Sequence, residues 1–463
     1  MRYDTIAAIS TPPGEGGIAV IRISGPRAMD ITEKIFFPKS KRPLKDIRSF
    51  SLCYGHIRDN LTQGTPVVDE ALVSLMRGKK TYSGEDTAEI NCHGGRILAE
   101  KILSLTLKNG ARLAEKGEFT KRAFLNGRID LTRAEAVRDL IEGKSDGALT
   151  LALKQLRGDL AAGIEALREK ILAVSAHVNV VLDYPEEGIE EPFPANLTAD
   201  LQSVNDSCEA LIASYDAGKL IRDGVKTAIV GKPNVGKSSL LNALLREERA
   251  IVTEIPGTTR DTIVEEVKIK GIRLVLVDTA GIRQTADTIE AMGVKKSRET
   301  LEEADLILFV TDASVPLDGE DLAIYENIGA ERYPKTLWIL NKIDKGVNED
   351  KEAFPGIKAR AALSALTGEG IKALEETIGG FLLKEEKETA GSRLILTNIR
   401  HKAALSRVSE ALSSALSAIA AGYPADLMAL DLKEAADALG EITGAVSTED
   451  LLDRIFRDFC VGK

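Results

Sequence analysis

Residues Gly231 to Ser238 read GKPNVGKS, which places glycines, a lysine and a serine at the spacing of a phosphate-binding loop. A β-type run, Thr227 to Val230, comes before the loop, and a helical pattern follows it. Backbone N–H groups at the start of a helix attract a polyphosphate. We expect Lys237 to reach the β- and γ-phosphates and Ser238 to ligate magnesium. The expected contact residues are Asn234, Val235, Gly236, Lys237, Ser238 and Ser239.

A second motif, Asp278-Thr279-Ala280-Gly281, follows the apolar run that ends at Val277. An acid at the carboxyl end of a strand can hold magnesium through water, while the glycine lets the backbone approach the γ-phosphate. The motif lies forty residues after the phosphate loop, and this tetrapeptide is a weak signal alone.

Two further motifs are suited to a guanine base. Asn341-Lys342-Ile343-Asp344 ends another apolar strand, and the Asp344 carboxylate can accept from the two N–H donors on guanine's pyrimidine edge. Adenine has no such pair of donors. The following loop, Ser364-Ala365-Leu366, can offer backbone N–H to the guanine oxygen. Four motifs in this order predict a site for GTP.

The segment Thr253-Glu254-Ile255-Pro256-Gly257-Thr258-Thr259 lies between the first two motifs. A threonine hydroxyl there can complete the magnesium shell, and we favour Thr259 with Thr258 as the alternative. The carbonyls of this loop and Asn234 are hard oxygen donors that suit a monovalent cation.

Ile282 follows the second motif, where Ras-type enzymes have a glutamine that orients the attacking water. Another group must therefore position water. Glu290 could do so if its helix approached the phosphate, although from the residues alone it is more typical of a solvated helix position. No arginine is evidently placed to neutralise transition-state charge in cis, but a cation or a partner could do so.

The flanking sequence indicates several domains. The chain has 463 residues, of which 44% are hydrophobic and 29% charged, and its net charge is −10. That charge argues against coating of nucleic acid through bulk attraction, so an RNA partner must be met locally. The four dispersed cysteines signal neither a disulfide framework nor a zinc site. Neither a secretory signal nor a transmembrane run is apparent, and we expect a cytoplasmic protein without membrane contact.

The patterns of apolar residues predict the elements that position these motifs. The first 120 residues mix β-type runs with one helix, near Ile97 to Lys108, and predict an α+β domain. Apolar positions from Leu153 to Val181 predict one long helix with a continuous seam. A second helix is expected to run to about Leu220. Strands and helices alternate from Val225 to Leu383, which predicts a mostly parallel sheet, and helices follow from Arg393.

Several blocks carry a resemblance over essentially the whole chain: TPPGEGGIAVIRISG, SGEDTAEINCHGG, GEFTKRAFLNGRIDL, GKPNVGKSS, IPGTTRD, DTAGIR and the terminal FCVGK. They resemble the MnmE (TrmE) family of bacterial tRNA modification GTPases. The resemblance implies a multidomain chain of α/β and all-α parts. Its expected parts are an N-terminal α+β folate-binding and dimerisation domain (1–120), a discontinuous helical domain (121–220 and 385–463) and an inserted Ras-like P-loop G domain (221–384).

The family's activity is then the expectation for this chain. With the flavoprotein partner MnmG (GidA), a homodimer adds an aminomethyl or carboxymethylaminomethyl group to carbon 5 of the wobble uridine of certain tRNAs. The one-carbon unit comes from a tetrahydrofolate derivative, in the 5-formyl or 5,10-methylene form. A ribosome-assembly or signalling switch of the Era/Der type is the alternative.

The resemblance also implies roles for individual residues. Hydrolysis would be activated by potassium-dependent pairing of G domains, with Glu290 as the water-orienting carboxylate. The potassium positions are Asn234, Thr253, Ile255 and Thr258, and the folate positions are Arg22, Glu89, Arg128 and Lys463. Arg128 stands where some members have lysine. Cys460, in the terminal motif, has either a packing or substrate-positioning role or a nucleophilic one.

Overall fold

The structure is a computed structural model that describes residues 4–59, 66–183, 195–247, 265–270, 272–277, 301–348, 354–383 and 394–463. The chain divides into two compact units, one comprising residues 1–138, 154–205 and 407–463 and the other residues 139–153 and 206–406. No helix within the described ranges is long and apolar enough to cross a membrane.

The first unit is built around a seven-stranded sheet. Its strands are β1 (Ile6–Ile9), β2 (Ile18–Ser24), β3 (Phe36–Pro38), β4 (Ser51–Arg58), β5 (Val67–Met76), β6 (Thr87–His93) and β7 (Arg112–Leu113). They lie in the order β3-β4-β5-β6-β2-β1-β7, and every pair is antiparallel except β1 with β7. Because side chains alternate along a strand, one face carries the buried core, including Ile21, Val73 and Ile90. Helices α1 (Ala28–Ile35) and α2 (Arg96–Lys108) cover that face.

Helices make up the rest of this unit. They include α3 (Glu118–Leu125), α4 (Leu131–Glu142), α5 (Asp146–Arg157), α6 (Asp159–Asp183), α7 (Ala195–Ala213), α12 (Ile399–Ala420), α13 (Ala425–Thr443) and α14 (Glu449–Phe456), some of which continue into the second unit. Helix α6 packs along α13, where Arg168 Nε donates to the Ala436 carbonyl at 3.2 Å. The aromatic rings of Phe456 and Phe459 pack with Leu131 in a separate cluster.

The second unit contains a six-stranded sheet. Its strands are β8 (Val225–Val230), β9 (Glu265–Ile269), β10 (Ile272–Leu276), β11 (Leu306–Asp312), β12 (Thr336–Asn341) and β13 (Ala359–Ala362), in the order β13-β12-β11-β8-β10-β9. All pairs are parallel except β9 with β10. A core lies on each face, one with α9 (Lys237–Glu247) and α11 (Ile371–Leu383), the other with α10 (Gly319–Ile328). Helix α8 (Tyr215–Asp223) leads into β8.

Three helix predictions were wrong in detail. The long helix with one seam is divided at Gly158, which has a φ of +99° that residues with a side chain rarely adopt, and Leu153 is 46% exposed rather than part of a seam. The second helix ends at Ala213, where Ser214 Oγ donates to the Leu211 carbonyl, and α8 then begins. The helix expected from Arg393 begins at Ile399.

Candidate functional site

The phosphate loop joins the end of β8 to the start of α9, as its sequence predicted. Asn234 and Gly236 have positive φ angles of 63° and 96°, which turn successive backbone N–H groups inward. Gly231 lies so close to β11 that a Cβ atom there would be 2.3 Å from the Val310 carbonyl oxygen. The loop therefore requires its glycines for both conformation and space.

Lys237 lies at the centre of this loop. Its Nζ donates to the carbonyls of Gly231 at 2.6 Å and Lys232 at 2.8 Å. Burial lowers the pKa of the Lys237 ammonium. A cation held only by neutral carbonyls in a half-buried loop can exchange them for phosphate oxygens, which pair better with its charge.

Asn341 joins the phosphate loop to the loop that follows β13. The side chain is 1% exposed. Its Nδ2 donates to the Val235 carbonyl at 2.8 Å, and its Oδ1 accepts from Ala365 N–H at 2.9 Å. A Cβ atom on Gly236 would lie 2.2 Å from the same Nδ2. The loops expected to hold the phosphates and the base are thus fixed to each other by one amide.

Lys342 makes a second connection to the phosphate loop. It has a positive φ of 67°, and its Nζ donates to the Asn234 carbonyl at 2.6 Å and to Asp312 Oδ2 at 2.7 Å. Burial opposes ionisation of Asp312, but hydrogen bonds from Lys342 and Ser314 outweigh it and lower the pKa of Asp312 to about 2. The lysine of the third motif therefore has a structural charge partner.

The remaining base-site residues lie at the same sheet edge. Asp344 is exposed in the turn Ile343–Lys345 after β12, whereas Ser364 is buried after β13. Leu366 is 82% exposed. Because Ala365 N–H already donates to Asn341 Oδ1, a guanine oxygen that bound there would share this donor with Asn341.

Two acids near the phosphate loop were not found from the sequence. Lys232 Nζ pairs with Asp318 at 2.6 Å and with the buried Asp321 at 3.0 Å. The Asp318 side chain caps the N-terminus of α10, and the Asp321 carboxylate accepts a hydrogen bond from the Asp318 N–H. The sequence signal that could have identified this pair is the acid-x-x-acid spacing of Asp318 and Asp321, which is typical of a capping box. Asp312 was missed as well, although it ends an apolar strand as Asp278 was expected to do.

Several predicted site residues lie outside the described residues. These are Thr253, Glu254, Ile255, Pro256, Gly257, Thr258, Thr259, Asp278, Thr279, Ala280, Gly281 and Glu290. Of the predicted magnesium ligands the structure describes Ser238 alone, and of the predicted potassium ligands Asn234 alone.

A second cluster lies in the first unit, where the C-terminal residues meet the sheet. Arg22 Nε donates to Glu89 Oε1 at 2.8 Å across the β2–β6 pair, and Arg22 Nη1 donates to the Gly462 carbonyl at 3.2 Å. Ser10 Oγ donates to the same carbonyl at 3.0 Å. The guanidinium carbon also lies 5.4 Å from the ring centre of Tyr82 and 5.6 Å from that of Phe119.

Lys463 extends this cluster. Burial lowers the pKa of its ammonium, Arg22 lowers it further, and Glu89 opposes the shift. The structure thus brings Arg22, Glu89 and Lys463 together. Arg128 is exposed, and no hydrogen bond or ion pair in the described part of the chain joins its side chain to these three. Cys460 is exposed, and its carbonyl accepts from Gly117 N–H at 3.2 Å.

A phosphate loop and a base-selecting Asn-Lys-x-Asp motif at the carboxyl edge of this sheet define a P-loop protein that binds guanine nucleotides. Two family models match the chain, the GTP-binding protein TrmE N-terminus over residues 5–128 and the MnmE helical domain over residues 131–460. The chain belongs to the MnmE family of tRNA modification GTPases, and it is therefore an enzyme that hydrolyses GTP.

Relatives of full length support this assignment. The protein named tRNA modification GTPase MnmE from Carboxydothermus hydrogenoformans is 48% identical over 467 residues and covers 100% of both chains. That from Clostridioides difficile is 48% identical over 463 residues, or 99% of each chain.

Solved structures match only part of the chain. Aquifex aeolicus Era bound to GDP and aluminium fluoride is 30% identical over 40% of this chain and 66% of that one, with a TM-score of 0.28. The G domain of the T. maritima FeoB iron transporter is 29% identical over 34% of this chain and 98% of that one, with a TM-score of 0.25.

Proposed function

We propose that this GTPase modifies tRNA by adding an aminomethyl or carboxymethylaminomethyl group to carbon 5 of the wobble uridine, together with the flavoprotein MnmG. A tetrahydrofolate derivative in the 5-formyl or 5,10-methylene form supplies the one-carbon unit. The observation that carries the proposal is the C-terminal tail beside Arg22 and Glu89. A switch of the Era/Der type, in which GTP only gates a partner, would not need such a site.

The chemistry of this cluster fits a folate. Arg22 and Lys463 offer positive charge to the carboxylates of the glutamate part, and the Glu89 carboxylate can accept from ring N–H donors. The half-buried Tyr82 ring borders the Arg22 guanidinium and provides apolar surface for a flat ring, while the fully buried Phe119 ring supports the guanidinium from the core. Arg128 would close over the ligand from an exposed position, and Cys460 would position the substrate or act as a nucleophile.

Tetrahydrofolate binding to the full chain tests this site. Calorimetry should show binding for the wild type, loss of most affinity in Arg22→Ala, and partial recovery in Arg22→Lys, which keeps the charge but not the planar fork. Arg27→Ala is the matched control, because Arg27 is an exposed arginine on the same unit. Absence of binding by the wild type would overturn the folate role and favour the switch.

We further propose that GTP hydrolysis requires magnesium, potassium and a second G domain. Ser238 and Thr259 would ligate magnesium, and Asn234, Thr253, Ile255 and Thr258 would ligate potassium. Neutral oxygen donors suit both ions. Glu290 would orient the attacking water, because Ile282 cannot. Asn234 supports this scheme, since its positive φ and the bond from Lys342 to its carbonyl fix its backbone in the phosphate loop.

Hydrolysis rates in matched potassium and sodium salts test the cation. The rate should be much higher in potassium, and Glu290→Ala should abolish most of it while GTP still binds. Equal rates in the two salts would remove potassium from the mechanism.

A homodimer joined through the first unit completes the proposal. Ile18 is exposed on the open face of the seven-stranded sheet at β2, three strands away from β4, where a second copy could cover it. Sedimentation of the full chain should show a dimer. The domain limits and the cytoplasmic location expected from the sequence stay predictions.

A further inference from the structure

The segment from Lys39 to Arg48, between β3 and β4, has a strongly positive surface. It contains five basic residues and a single acid, Asp46. All five basic side chains are exposed, and none forms an ion pair within the described residues: Lys39, Lys41, Arg42, Lys45 and Arg48. On a chain with a net charge of −10, this is a local site for an anionic partner.

The segment is held in a fixed position. Arg77 Nη1 donates to the Ile47 carbonyl at 2.8 Å, and Arg77 Nη2 donates to the Leu44 carbonyl at 2.6 Å. Leu44 is buried in the core of the sheet, and Lys39 N–H donates to the Tyr54 carbonyl at 3.0 Å. Because the backbone is already ordered, a ligand that binds here orders only side chains.

A groove of about 770 Å³ lies between this segment and β4. Lys39, Arg42 and Arg48 line it on one side, and Leu52 and Tyr54 project from the sheet on the other. The Tyr54 ring is partly exposed, its hydroxyl donates to Glu70 at 2.8 Å, and the Lys39 Nζ lies 5.2 Å from its centre. Cations for phosphates beside an aromatic ring for a base are the combination that binds single-stranded nucleic acid.

We propose that this groove binds an unpaired stretch of the tRNA substrate, with Lys39, Arg42 and Arg48 on the phosphates and Tyr54 stacked on a base. The inference rests on tRNA as the substrate of the proposed function. An acidic peptide would satisfy the charges, but it would not require a flat ring at Tyr54. The groove would bind the tRNA in addition to the residues that contact the modified uridine.

Binding of a fluorescent tRNA to the full chain tests the charges. The variant Lys39→Glu, Arg42→Glu, Arg48→Glu should bind at least about tenfold more weakly near 0.1 M salt, and the slope of log K against log salt should fall by about 2 to 3. The matched control reverses three other exposed lysines of the same unit in Lys154→Glu, Lys170→Glu, Lys433→Glu. It should bind within about twofold of the wild type, and GTP hydrolysis should be unchanged in both.

Tyr54→Leu separates stacking from charge. It should weaken binding by about fivefold or more without changing the salt slope, because a leucine cannot stack on a base. Polyglutamate at an equal concentration of negative charge should compete poorly with tRNA for the groove. If the wild type binds no tRNA, the proposed function fails. If the wild type binds and the charge variant binds equally well, the groove is refuted while the function stands. A variant that changes only the oligomeric state would assign the groove to a second copy and refute the inference.

Discussion

Asn341→Ala should strongly weaken nucleotide binding, because Asn341 joins the phosphate loop to the loop expected to hold the base. The substitution leaves two groups without their partner, the Val235 carbonyl and Ala365 N–H. Each unsatisfied buried group costs about 1–3 kcal/mol. The Val235 bond is buried but the Ala365 bond is only partly buried, so the two together cost less than the full sum. We expect a loss of about 2–4 kcal/mol of binding free energy, which corresponds to a roughly thirtyfold to thousandfold rise in Kd.

A control within the same sheet makes this prediction specific. Thr311→Val removes another buried bond, the one donated by Trp338 Nε1 to Thr311 Oγ1 at 2.9 Å, on the strands β11 and β12. Both variants should melt at a lower temperature than the wild type. Only Asn341→Ala should lose affinity for a fluorescent GTP analogue in a titration. If the two variants lost equal affinity, the bridge between the loops would have no special role in binding.

Three further outcomes are expected. Gly236→Ala should abolish nucleotide binding, because the added Cβ would lie 2.2 Å from Asn341 Nδ2. Gly422→Ala is the control and should only lower stability, since Gly422 has a positive φ but open space around it. Equal nucleotide affinities of the two variants would contradict this steric argument. Gly462→Ala should weaken tetrahydrofolate binding in calorimetry but leave GTP hydrolysis intact, because its Cβ would be 2.5 Å from the Ile9 carbonyl oxygen; an unchanged folate affinity would contradict the role of the tail. Asp312→Asn should lower the melting temperature at pH 7. Since the folded pKa of Asp312 is about 2 against 3.8 as its usual value, its stabilising contribution is present above about pH 4 and lost as the pH falls towards 2, so the two melting temperatures should converge over that range; a constant difference would refute this pairing.

The place of the phosphate loop between a strand and a helix was predicted because its motif is local. A phosphate loop needs only a strand, a glycine-rich turn and a helix in succession, and all three are encoded between Val225 and Glu247. The apolar strands β8, β11 and β12 were equally clear, since buried parallel strands form continuous hydrophobic runs. By contrast, the break at Gly158 was missed because the apolar spacing continues across it, and spacing alone does not report a positive φ.

The contacts between distant segments could not be derived from local patterns. No periodicity relates Lys232 to Asp321, or Arg22 to the carbonyl of Gly462. Arg22, Glu89 and Lys463 were expected together only through the resemblance to a family. The sequence shows that the segment from Lys39 to Arg48 is basic. It does not show the groove, because the groove forms only where this segment lies beside β4, which supplies Tyr54.

The separation of Arg22 from Gly462 along the chain is 440 residues. During synthesis the sheet that carries Arg22 leaves the ribosome long before the residues that complete the cluster, and the whole six-stranded unit emerges in between. The cluster therefore forms only after the six-stranded unit has been synthesised, and a chain without Gly462 and Lys463 would keep the phosphate loop but lose the tail contacts of Arg22.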